Sequence, residues 1–274
     1  MNLVVGNTSQ LSRYFPDDNH VKVSSRDIDI SSLTSRTWDA VYICFAEQRT
    51  YLANSTEQEI KDLFWKTNVG KTLAAIEALH KVSNKIVYYS TAELWNNTNG
   101  PVNVTDSFCY HSNSYTESKR EITDVLKDKK KYPKVSILYP FNFNSIHRGD
   151  QYLFGKIFGS ILSKIPITIG DVSYYREMLH PSMIVDASMK CKEGVDEIVG
   201  SGRVVFVKDF IKLLYGKLNL KYEDFVTEQV TSPSIYRRNI FYAQRQTDTY
   251  SVDVMLDRTT KELIQYGAKD ASHS

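Results

Sequence analysis

The stretch Asp39-Ala40-Val41-Tyr42-Ile43-Cys44-Phe45 opens on an aspartate and is apolar from there to its end. A strand between a core and solvent alternates apolar and polar residues, whereas an unbroken apolar run is typical of a strand buried on both faces. Such strands occur in parallel sheets that helices cover on each side. This run therefore predicts a strand of a buried parallel sheet.

Further apolar runs lie on both sides of this stretch and alternate with helix-like segments. The predicted strands are residues 3–5, 20–23, 85–89 and 135–138, and the predicted helices are residues 9–15, 56–81 and 115–127. Strands that alternate with helices over short connections form βαβ units. The sequence therefore predicts an α/β fold with a Rossmann-like, doubly wound parallel sheet.

After about residue 146 the alternation is less regular. Helical patterns at residues 151–163 and 208–218 accompany an extended segment at residues 165–169. We expect a Rossmann domain and a smaller C-terminal, substrate-binding lobe. The predicted bounds are 1–145 with a return segment at about 176–208 for the domain, and 146–175 with 209–274 for the lobe.

Composition excludes several classes of protein. The 274 residues are 42% apolar and 24% charged, as in ordinary globular proteins, and the net charge of +2 predicts neither a nucleic-acid nor a membrane partner. Cys44, Cys109 and Cys191 are odd in number and widely spaced, so we expect no disulfide framework and no metal site. The N-terminus runs straight into a predicted strand, which leads us to expect a cytoplasmic protein.

The best candidate for chemistry consists of Ser90-Thr91 at a strand end and a Tyr-x-x-x-Lys pair in the next helix, Tyr115 and Lys119. Residues four apart share one helix face. An ammonium beside a phenol stabilises the phenolate and lowers its pKa from about 10. Tyr115 could then pass a proton to or from an alcohol or ketone, with the Thr91 hydroxyl steadying the same oxygen. This trio is typical of nicotinamide-dependent carbonyl and alcohol enzymes.

The same spacing occurs a second time, at Tyr152 and Lys156. No apolar run ending in hydroxyls precedes this second pair. We interpret it as ordinary helix packing.

The first strand is followed by a turn that suits a pyrophosphate. Against a Gly-x-x-Gly-x-x-Gly spacing only Gly6 is present, with Ser9 and Ser12 at the other two places. Glycine turns at a strand–helix junction let the backbone approach phosphate at the helix N-terminus. The residues predicted to bind a dinucleotide here are Gly6, Thr8, Ser9, Gln10 and Leu11.

The end of the second strand bears on the choice of nicotinamide cofactor. An acid there binds the ribose 2′-hydroxyl of NAD, whereas an arginine accommodates the 2′-phosphate of NADP. Arg26 favours NADP(H) and Asp27 favours NAD(H), so NAD stays possible. Gly70-Lys71-Thr72 imitates the end of a P-loop, but Trp65 stands where the leading glycine belongs, and we reject that reading.

Taken in order, these segments resemble the extended short-chain dehydrogenase/reductases, especially the NAD(P)-dependent nucleotide-sugar epimerase, dehydratase and reductase branch. The resemblance covers most of the chain. It rests on the glycine turn, the Tyr-x-x-x-Lys pair and the segments Asn68-Val-Gly-Lys-Thr72, Tyr89-Ser-Thr-Ala-Glu-Leu-Trp95, Tyr139-Pro-Phe-Asn142, Arg176-Glu-Met-Leu-His180 through Asp186, and Val199-Gly-Ser-Gly202.

The resemblance implies roles for individual residues. Tyr115 is the expected acid/base, Lys119 binds the nicotinamide ribose, and Thr91 orients the reacting oxygen. Residues expected on the substrate side are Asn142, Arg176 and His180. Further expected cofactor contacts are Ala46, Asn68, Ser90 and Pro140, besides Arg26, Tyr115 and Lys119. Departures from the family pattern are the missing glycines, Trp95-Asn96 in place of Tyr-Gly, and Tyr139 in place of arginine.

We therefore expect an NADP(H)-preferring oxidoreductase that acts on a keto or hydroxyl carbon of a nucleotide-linked sugar, as a reductase or epimerase. The family usually forms homodimers, which we expect here. Two alternatives stay open. Glu93, two residues after Thr91, suits a sugar 4,6-dehydratase, and the incomplete glycine turn suits a non-catalytic dinucleotide sensor or scaffold.

Overall fold

The computed structural model describes residues 1–26, 30–48, 55–109, 113–231, 239–245 and 248–271. The strands are β1 (Asn2–Val5), β2 (His20–Val23), β3 (Trp38–Ile43), β4 (Ser83–Tyr89), β5 (Gly100–Val102), β6 (Val135–Pro140), β7 (Asn142–Phe143), β8 (Ile167–Ile169), β9 (Tyr175–Arg176), β10 (Met178–Leu179), β11 (Glu197–Val199), β12 (Val205–Phe206), β13 (Val226–Glu228) and β14 (Phe241–Ala243). The helices are α1 (Ile30–Thr34), α2 (Glu57–Phe64), α3 (Thr72–His80), α4 (Ser114–Leu126), α5 (Leu153–Ser163), α6 (Pro181–Lys190), α7 (Val207–Lys217), α8 (Tyr222–Phe225) and α9 (Val252–Ala271).

A parallel sheet of six strands in the order β11-β6-β4-β3-β1-β2 forms the centre of the first part of the fold. The strand order runs outward from β1 in both directions, with helices in the connections, so the prediction of a Rossmann-like, doubly wound α/β fold is confirmed. All five strands predicted from apolar runs are present. The edge strand β11 was not predicted, because a three-residue strand carries almost no periodic signal.

The inner strands are apolar because both of their faces are covered. Val4, Val41, Ile86 and Ile137, on four neighbouring strands, have no exposed surface. Full burial of such a side chain contributes roughly 1.5–3 kcal/mol. The continuous apolar run of β3 is thus explained by its place between β1 and β4.

The long helix predicted at residues 56–81 is present, but its middle is not α-helical. A capping box starts α2, with the Thr56 hydroxyl accepting from the Glu59 N–H and the Glu59 carboxylate accepting from the Thr56 N–H. Residues Trp65–Lys71 then form a π-helical segment before α3 begins. The wider turn brings the polar side chain of Asn68 to a buried position. π-Helical turns inside α-helices are frequent at functional sites.

The helix predicted at residues 9–15 is only a 3₁₀ turn, Leu11–Tyr14. Pro16 follows Phe15, and a residue before proline is disfavoured in the helical region; Phe15 is accordingly extended. The helices predicted at residues 115–127, 151–163 and 208–218 are α4, α5 and α7, each within two residues of the expected bounds.

The chain forms two compact units. The first comprises Met1–Trp95, Val104–Pro140 and Ile184–Val199, and contains the six-stranded sheet. The second comprises Asn96–Asn103, Phe141–Met183 and Gly200–Ser274. Its strands pair two by two, as β7 with β10, β9 with β12, β8 with β13 and β5 with β14. The domain bounds expected from the sequence stay a prediction.

The Gly-Ser-Gly turn of the second unit encloses a buried carboxylate. Glu177 has no exposed surface, and its two oxygens accept from the Gly202 N–H (2.8 Å) and the Ala243 N–H (2.7 Å). Burial raises the pKa of Glu177. A Cβ on Gly200 would lie 2.4 Å from the Glu177 Oε1, so only glycine fits there.

Two features are absent from the described residues. None of their helices is both long and apolar enough to cross a membrane. Nor do any three of their His, Cys, Asp and Glu side chains come together in a way that could hold a metal ion.

Candidate active site

The carboxyl ends of the parallel strands of the first unit lie at one edge of the sheet. Val5 at the end of β1 pairs with Val23 and Ile43, the last residues of β2 and β3, and Tyr89 at the end of β4 pairs with Leu138. Ligands of doubly wound sheets bind beyond this edge. The predicted site residues that follow these strand ends are Gly6, Arg26, Ala46, Ser90 and Thr91, with Pro140 the last residue of β6.

Gly6 occupies a position that no other residue fits without strain. Its φ is +105°, and an added Cβ would lie 2.9 Å from both the Cβ and the N of Phe45. Its N–H donates to the Val23 carbonyl. Gly6 thus lets the chain turn sharply after β1, in the narrow space between Val23 at the end of β2 and Phe45, as a dinucleotide-binding turn requires.

The serines that replace the later glycines stabilise the turn from within. The Ser12 N–H donates to the Ser9 Oγ (3.1 Å), and the Ser12 Oγ donates to the Ser9 carbonyl (2.8 Å). Ser12 is completely buried, whereas Thr8 is exposed. Gln10 is half-buried and Leu11 is buried at the start of the 3₁₀ turn. The turn keeps its shape without the second and third glycines.

We expect Gly6→Ala to destabilise the protein by about 3 kcal/mol, because it combines a disfavoured φ with a steric clash. Urea denaturation would measure this. Gly216→Ala is the matched control, since Gly216 lies in α7 with nothing within 4 Å of an added Cβ. That control should be neutral or stabilise by up to ~1 kcal/mol. Equal effects of the two substitutions would contradict this role of Gly6.

Two cationic residues lie together beyond the end of β2. Arg26 is exposed, and its N–H donates to the Ser24 Oγ. The Lys71 ammonium, at the end of the π-helical segment, lies 3.5 Å from the Arg26 carbonyl. Sequence reasoning rejected Lys71 as a P-loop lysine and offered no other role for it. Asp27, the argument for NAD, lies outside the described residues.

Asn68 connects the loop after β3 with helix α4. Its Oδ1 accepts from the Glu47 N–H (2.7 Å), and its Nδ2 donates to the Glu47 carbonyl (3.0 Å) and to the Ser118 Oγ (3.1 Å). Glu47 follows Ala46, and Ser118 precedes Lys119. The π-helical turn therefore fixes the distance between two predicted cofactor-binding segments.

The end of β4 presents two hydroxyls with different partners. The Ser90 Oγ lies 2.7 Å from the Thr123 Oγ1 of α4 in a fully buried pair. The Thr91 Oγ1 accepts from the Glu93 N–H (3.2 Å), which leaves its hydroxyl hydrogen to be donated elsewhere. Glu93 itself lies half-buried in the 3₁₀ turn Ala92–Trp95.

Tyr115 and Lys119 lie one turn apart on α4. The Tyr115 ring is half-buried and meets Phe64 edge-on at 6.0 Å. Lys119 is only 4% exposed, and its ammonium donates to the Tyr89 carbonyl (2.7 Å) and to the Tyr88 hydroxyl (3.4 Å). Burial lowers the pKa of Lys119 to about 7. The positive charge of Lys119, which was expected to lower the pKa of Tyr115, therefore itself depends on pH near neutrality.

The second Tyr-x-x-x-Lys pair has a different setting, in the second unit. Tyr152 precedes the first residue of α5, and its ring packs against the Arg148 guanidinium at 3.8 Å. Lys156 is exposed to solvent.

The predicted substrate residues all belong to the second unit. Asn142 pairs with Met178 between β7 and β10. The Arg176 guanidinium donates to the Tyr175 carbonyl. Both ring nitrogens of His180 have partners, the Ser182 Oγ at 2.8 Å and the Glu262 Oε2 at 3.2 Å. Their contact with a substrate stays a prediction.

A protein-family model matches residues 6–204 of this chain. The model is that of the NAD dependent epimerase/dehydratase family. The chain belongs to this family. No curated protein matches the chain closely enough to be counted as a relative.

Several solved structures have the same fold as this epimerase/dehydratase family member. UDP-N-acetylglucosamine 4-epimerase from Methanobrevibacter ruminantium M1, in complex with UDP-N-acetylmuramic acid, is 15% identical with a TM-score of 0.78 over 97% of this chain and 98% of that one. UDP-glucose 4-epimerase from Thermotoga maritima, with UDP-glucose, is 16% identical with a TM-score of 0.76 over 97% and 99%. RMD from Pseudomonas aeruginosa, complexed with NADPH, is 14% identical with a TM-score of 0.75 over 97% and 98%.

Proposed function

We propose that this protein is an NADP(H)-preferring oxidoreductase that acts on a keto or hydroxyl carbon of a nucleotide-linked sugar, as a reductase or an epimerase. The observation that carries the proposal is the setting of Lys119. A buried ammonium bonded at the carboxyl end of β4, one turn from Tyr115, lies next to the strand end that bears Thr91. Solved structures of the same fold hold nucleotide sugars or NADPH.

The residues present fit a nicotinamide dinucleotide. Gly6 shapes the turn after β1, and the Lys119 ammonium has hydrogen-bonding capacity for ribose hydroxyls beyond its two oxygen partners. When bound, the nicotinamide would supply or accept a hydride. The protein would manage the proton that accompanies it.

In the direction of reduction, Tyr115 donates its phenolic proton to the carbonyl oxygen of the sugar. The Thr91 hydroxyl, whose oxygen already accepts from Glu93, donates a hydrogen bond to the same oxygen. Protonated Lys119 stabilises the phenolate left on Tyr115. In the direction of oxidation, the Tyr115 phenolate takes the proton back from the hydroxyl.

The second unit would hold the nucleotide diphosphate. Arg176 and Asn142 are the residues we assign to that role, with His180 beside them in sequence. Arg176 suits a diphosphate because its planar guanidinium binds phosphate oxygens in pairs. We further propose the domain bounds expected from the sequence, a cytoplasmic location and a homodimer.

Arg26 and Lys71 support the preference for NADP(H), because two cations beyond the end of β2 suit a 2′-phosphate.

The first test of the proposed function is a parallel titration of the protein with NADPH and NADH, in which nicotinamide fluorescence reports binding. Tight binding of NADPH supports the proposal. Binding of neither by the folded protein would favour a scaffold without cofactor.

We expect Arg26→Gln to raise the Kd for NADPH about tenfold and to leave the Kd for NADH unchanged. A hydrogen bond to a charged group contributes roughly 1.5–3 kcal/mol, and ~1.4 kcal/mol is a factor of ten in Kd. Lys71→Gln should act in the same direction. Lys66→Gln, an exposed lysine of the same π-helical segment, controls for net charge. An equal loss for both cofactors would contradict recognition of the 2′-phosphate.

Glu93 keeps a 4,6-dehydratase as the second candidate, since its backbone N–H donates to the Thr91 Oγ1 and its side chain is half-buried. Mass spectrometry of the products discriminates the two. Loss of one water from the sugar, abolished by Glu93→Gln, would establish the dehydratase. A product of unchanged mass supports the epimerase, and a product heavier by two hydrogens supports the reductase.

A further inference from the structure

Tyr88 is a buried tyrosine that the proposed reaction does not use. It lies on β4, three residues before Thr91, and is 1% exposed. Its hydroxyl lies 3.4 Å from the Lys119 ammonium, and the same ammonium is 4.8 Å from the centre of its ring. Burying a phenol hydroxyl in the core is unfavourable unless the hydroxyl is hydrogen-bonded.

Lys119 depends on very few partners. Its side chain donates to the Tyr89 carbonyl and to the Tyr88 hydroxyl, and within the described part of the chain no carboxylate forms an ion pair with it. A buried ammonium without a counter-ion is held by whatever oxygens surround it. Of these two oxygens, only the Tyr88 hydroxyl belongs to a side chain.

Helix α4 makes two polar contacts with the end of β4. The Lys119 ammonium donates to the Tyr89 carbonyl (2.7 Å), and the Thr123 Oγ1 lies 2.7 Å from the Ser90 Oγ. All these side chains are buried. The position of Lys119 is therefore tied to the strand end that precedes Thr91.

We propose that Tyr88 is a positioning residue, whose hydroxyl holds the Lys119 ammonium in place and in its charged form. This inference deepens the proposed function, since its consequence for turnover rests on the role assigned to Lys119. The contact between Tyr88 and Lys119 does not depend on that role.

Besides Lys119, the titratable groups that face Tyr88 in the described part of the chain are phenols. Tyr115 acts on it from α4 and Tyr139 from β6, and burial raises the pKa of Tyr139. The pKa of Tyr88 is itself raised well above its usual value by burial, so Tyr88 stays neutral at the pH values at which Lys119 titrates. The π-helical segment beside α4 contributes the neutral amide of Asn68, which bonds to Ser118.

The test is a double-mutant cycle with Tyr88→Phe, Lys119→Met and the double variant, measured by urea denaturation from pH 5 to pH 10. Phenylalanine keeps the ring and removes only the hydroxyl. We expect Tyr88→Phe to destabilise the protein more at pH 5, where Lys119 is charged, than at pH 10. The pH at which Lys119 titrates should fall by about one unit, a tenfold change in its ionisation constant. Both effects should vanish in the Lys119→Met background.

Tyr89→Phe is the matched control for the cycle. Tyr89 is the neighbouring residue of β4 and is also buried, but its hydroxyl bonds to the Ser188 Oγ of α6. Loss of the Tyr89 hydroxyl should destabilise the protein by the same amount at all these pH values. If Tyr88→Phe behaves like Tyr89→Phe, or keeps its pH dependence without Lys119, then Tyr88 only fills space and the proposal is overturned.

Turnover provides the second readout. In an active enzyme, Tyr88→Phe should shift the alkaline limb of the pH profile of kcat to lower pH, by the same amount of about one pH unit. The KM for the sugar should change little. A lower kcat with an unshifted profile would overturn the positioning role. If the wild-type protein converts no nucleotide sugar, the proposed function fails, while the unfolding cycle still decides whether Tyr88 holds Lys119.

Discussion

Tyr115→Phe should abolish turnover almost completely and leave binding of NADPH nearly intact. The substitution removes one hydroxyl from a half-buried ring that packs against Phe64. We therefore expect the fold, and the turn after β1 that begins at Gly6, to be preserved. It also removes the proposed proton donor. General acid–base catalysis contributes typically 10²–10⁴-fold, and we expect kcat to fall by about that factor. Steady-state kinetics with a nucleotide-sugar substrate and a fluorescence titration with NADPH measure the two effects.

The chain contains a matched control for this experiment. Tyr152→Phe makes the same chemical change in the other Tyr-x-x-x-Lys pair, where the ring packs against Arg148. Its kcat should equal that of the wild type. Full activity of Tyr115→Phe, or equal losses for both variants, would contradict Tyr115 as the acid/base.

Lys119→Met should make the protein more stable at pH 6 while it destroys activity. A charged lysine in the core is unfavourable, and here burial lowers its pKa from 10.5 to about 7. The variant removes that penalty but leaves the Tyr89 carbonyl without its donor, which costs about 1–3 kcal/mol. We expect a net gain of about 2 kcal/mol in the free energy of unfolding.

The sign of the pH dependence follows from the two pKa values. Below pH 7 the lysine is charged in both the folded and the unfolded chain, and the full penalty of burial is present. Between pH 7 and 10.5 the unfolded chain keeps a proton that the folded protein has lost, so the wild type gains stability as the pH rises. The advantage of Lys119→Met should therefore shrink by about 1.4 kcal/mol per pH unit and reverse at alkaline pH.

Urea denaturation at pH 6, 7, 8 and 9 would follow this change. Lys156→Met is the control, since Lys156 is exposed and its replacement should show no such slope. A constant difference between wild type and Lys119→Met across this range would mean that Lys119 keeps its proton in the folded protein. The effect of the Lys119 charge on the pKa of Tyr115 would then be independent of pH near neutrality.

The sheet could be predicted because burial on both faces leaves a direct trace in the sequence. Val41 and Ile86 belong to apolar runs with no polar alternation, and both are completely buried. Helices α2 and α4 were predicted from their helical patterns, and the structure adds a cap at the start of each. Thr56 and Glu59 form a capping box, and Asn113 caps α4 through the Thr116 N–H.

The features that were missed depend on contacts between distant segments. Nothing local marks Trp65–Lys71 as π-helical, because that turn is stabilised by bonds from Asn68 to Glu47 and Ser118. Lys71 gained a candidate role only when the folded chain placed it beside Arg26. Tyr88 looks like any aromatic residue of a buried strand until Lys119 is seen above its ring.

The sequence by itself determined the α/β class, the strand ends that carry Gly6 and Thr91, and the pairing of Tyr115 with Lys119 on one helix face. These depend on the periods of strands and helices, which are local properties of the chain. The tertiary structure alone decided how charged Lys119 is at neutral pH and which side chain holds it. Ionisation depends on desolvation and on the partners that packing supplies, and both come from residues far apart in sequence.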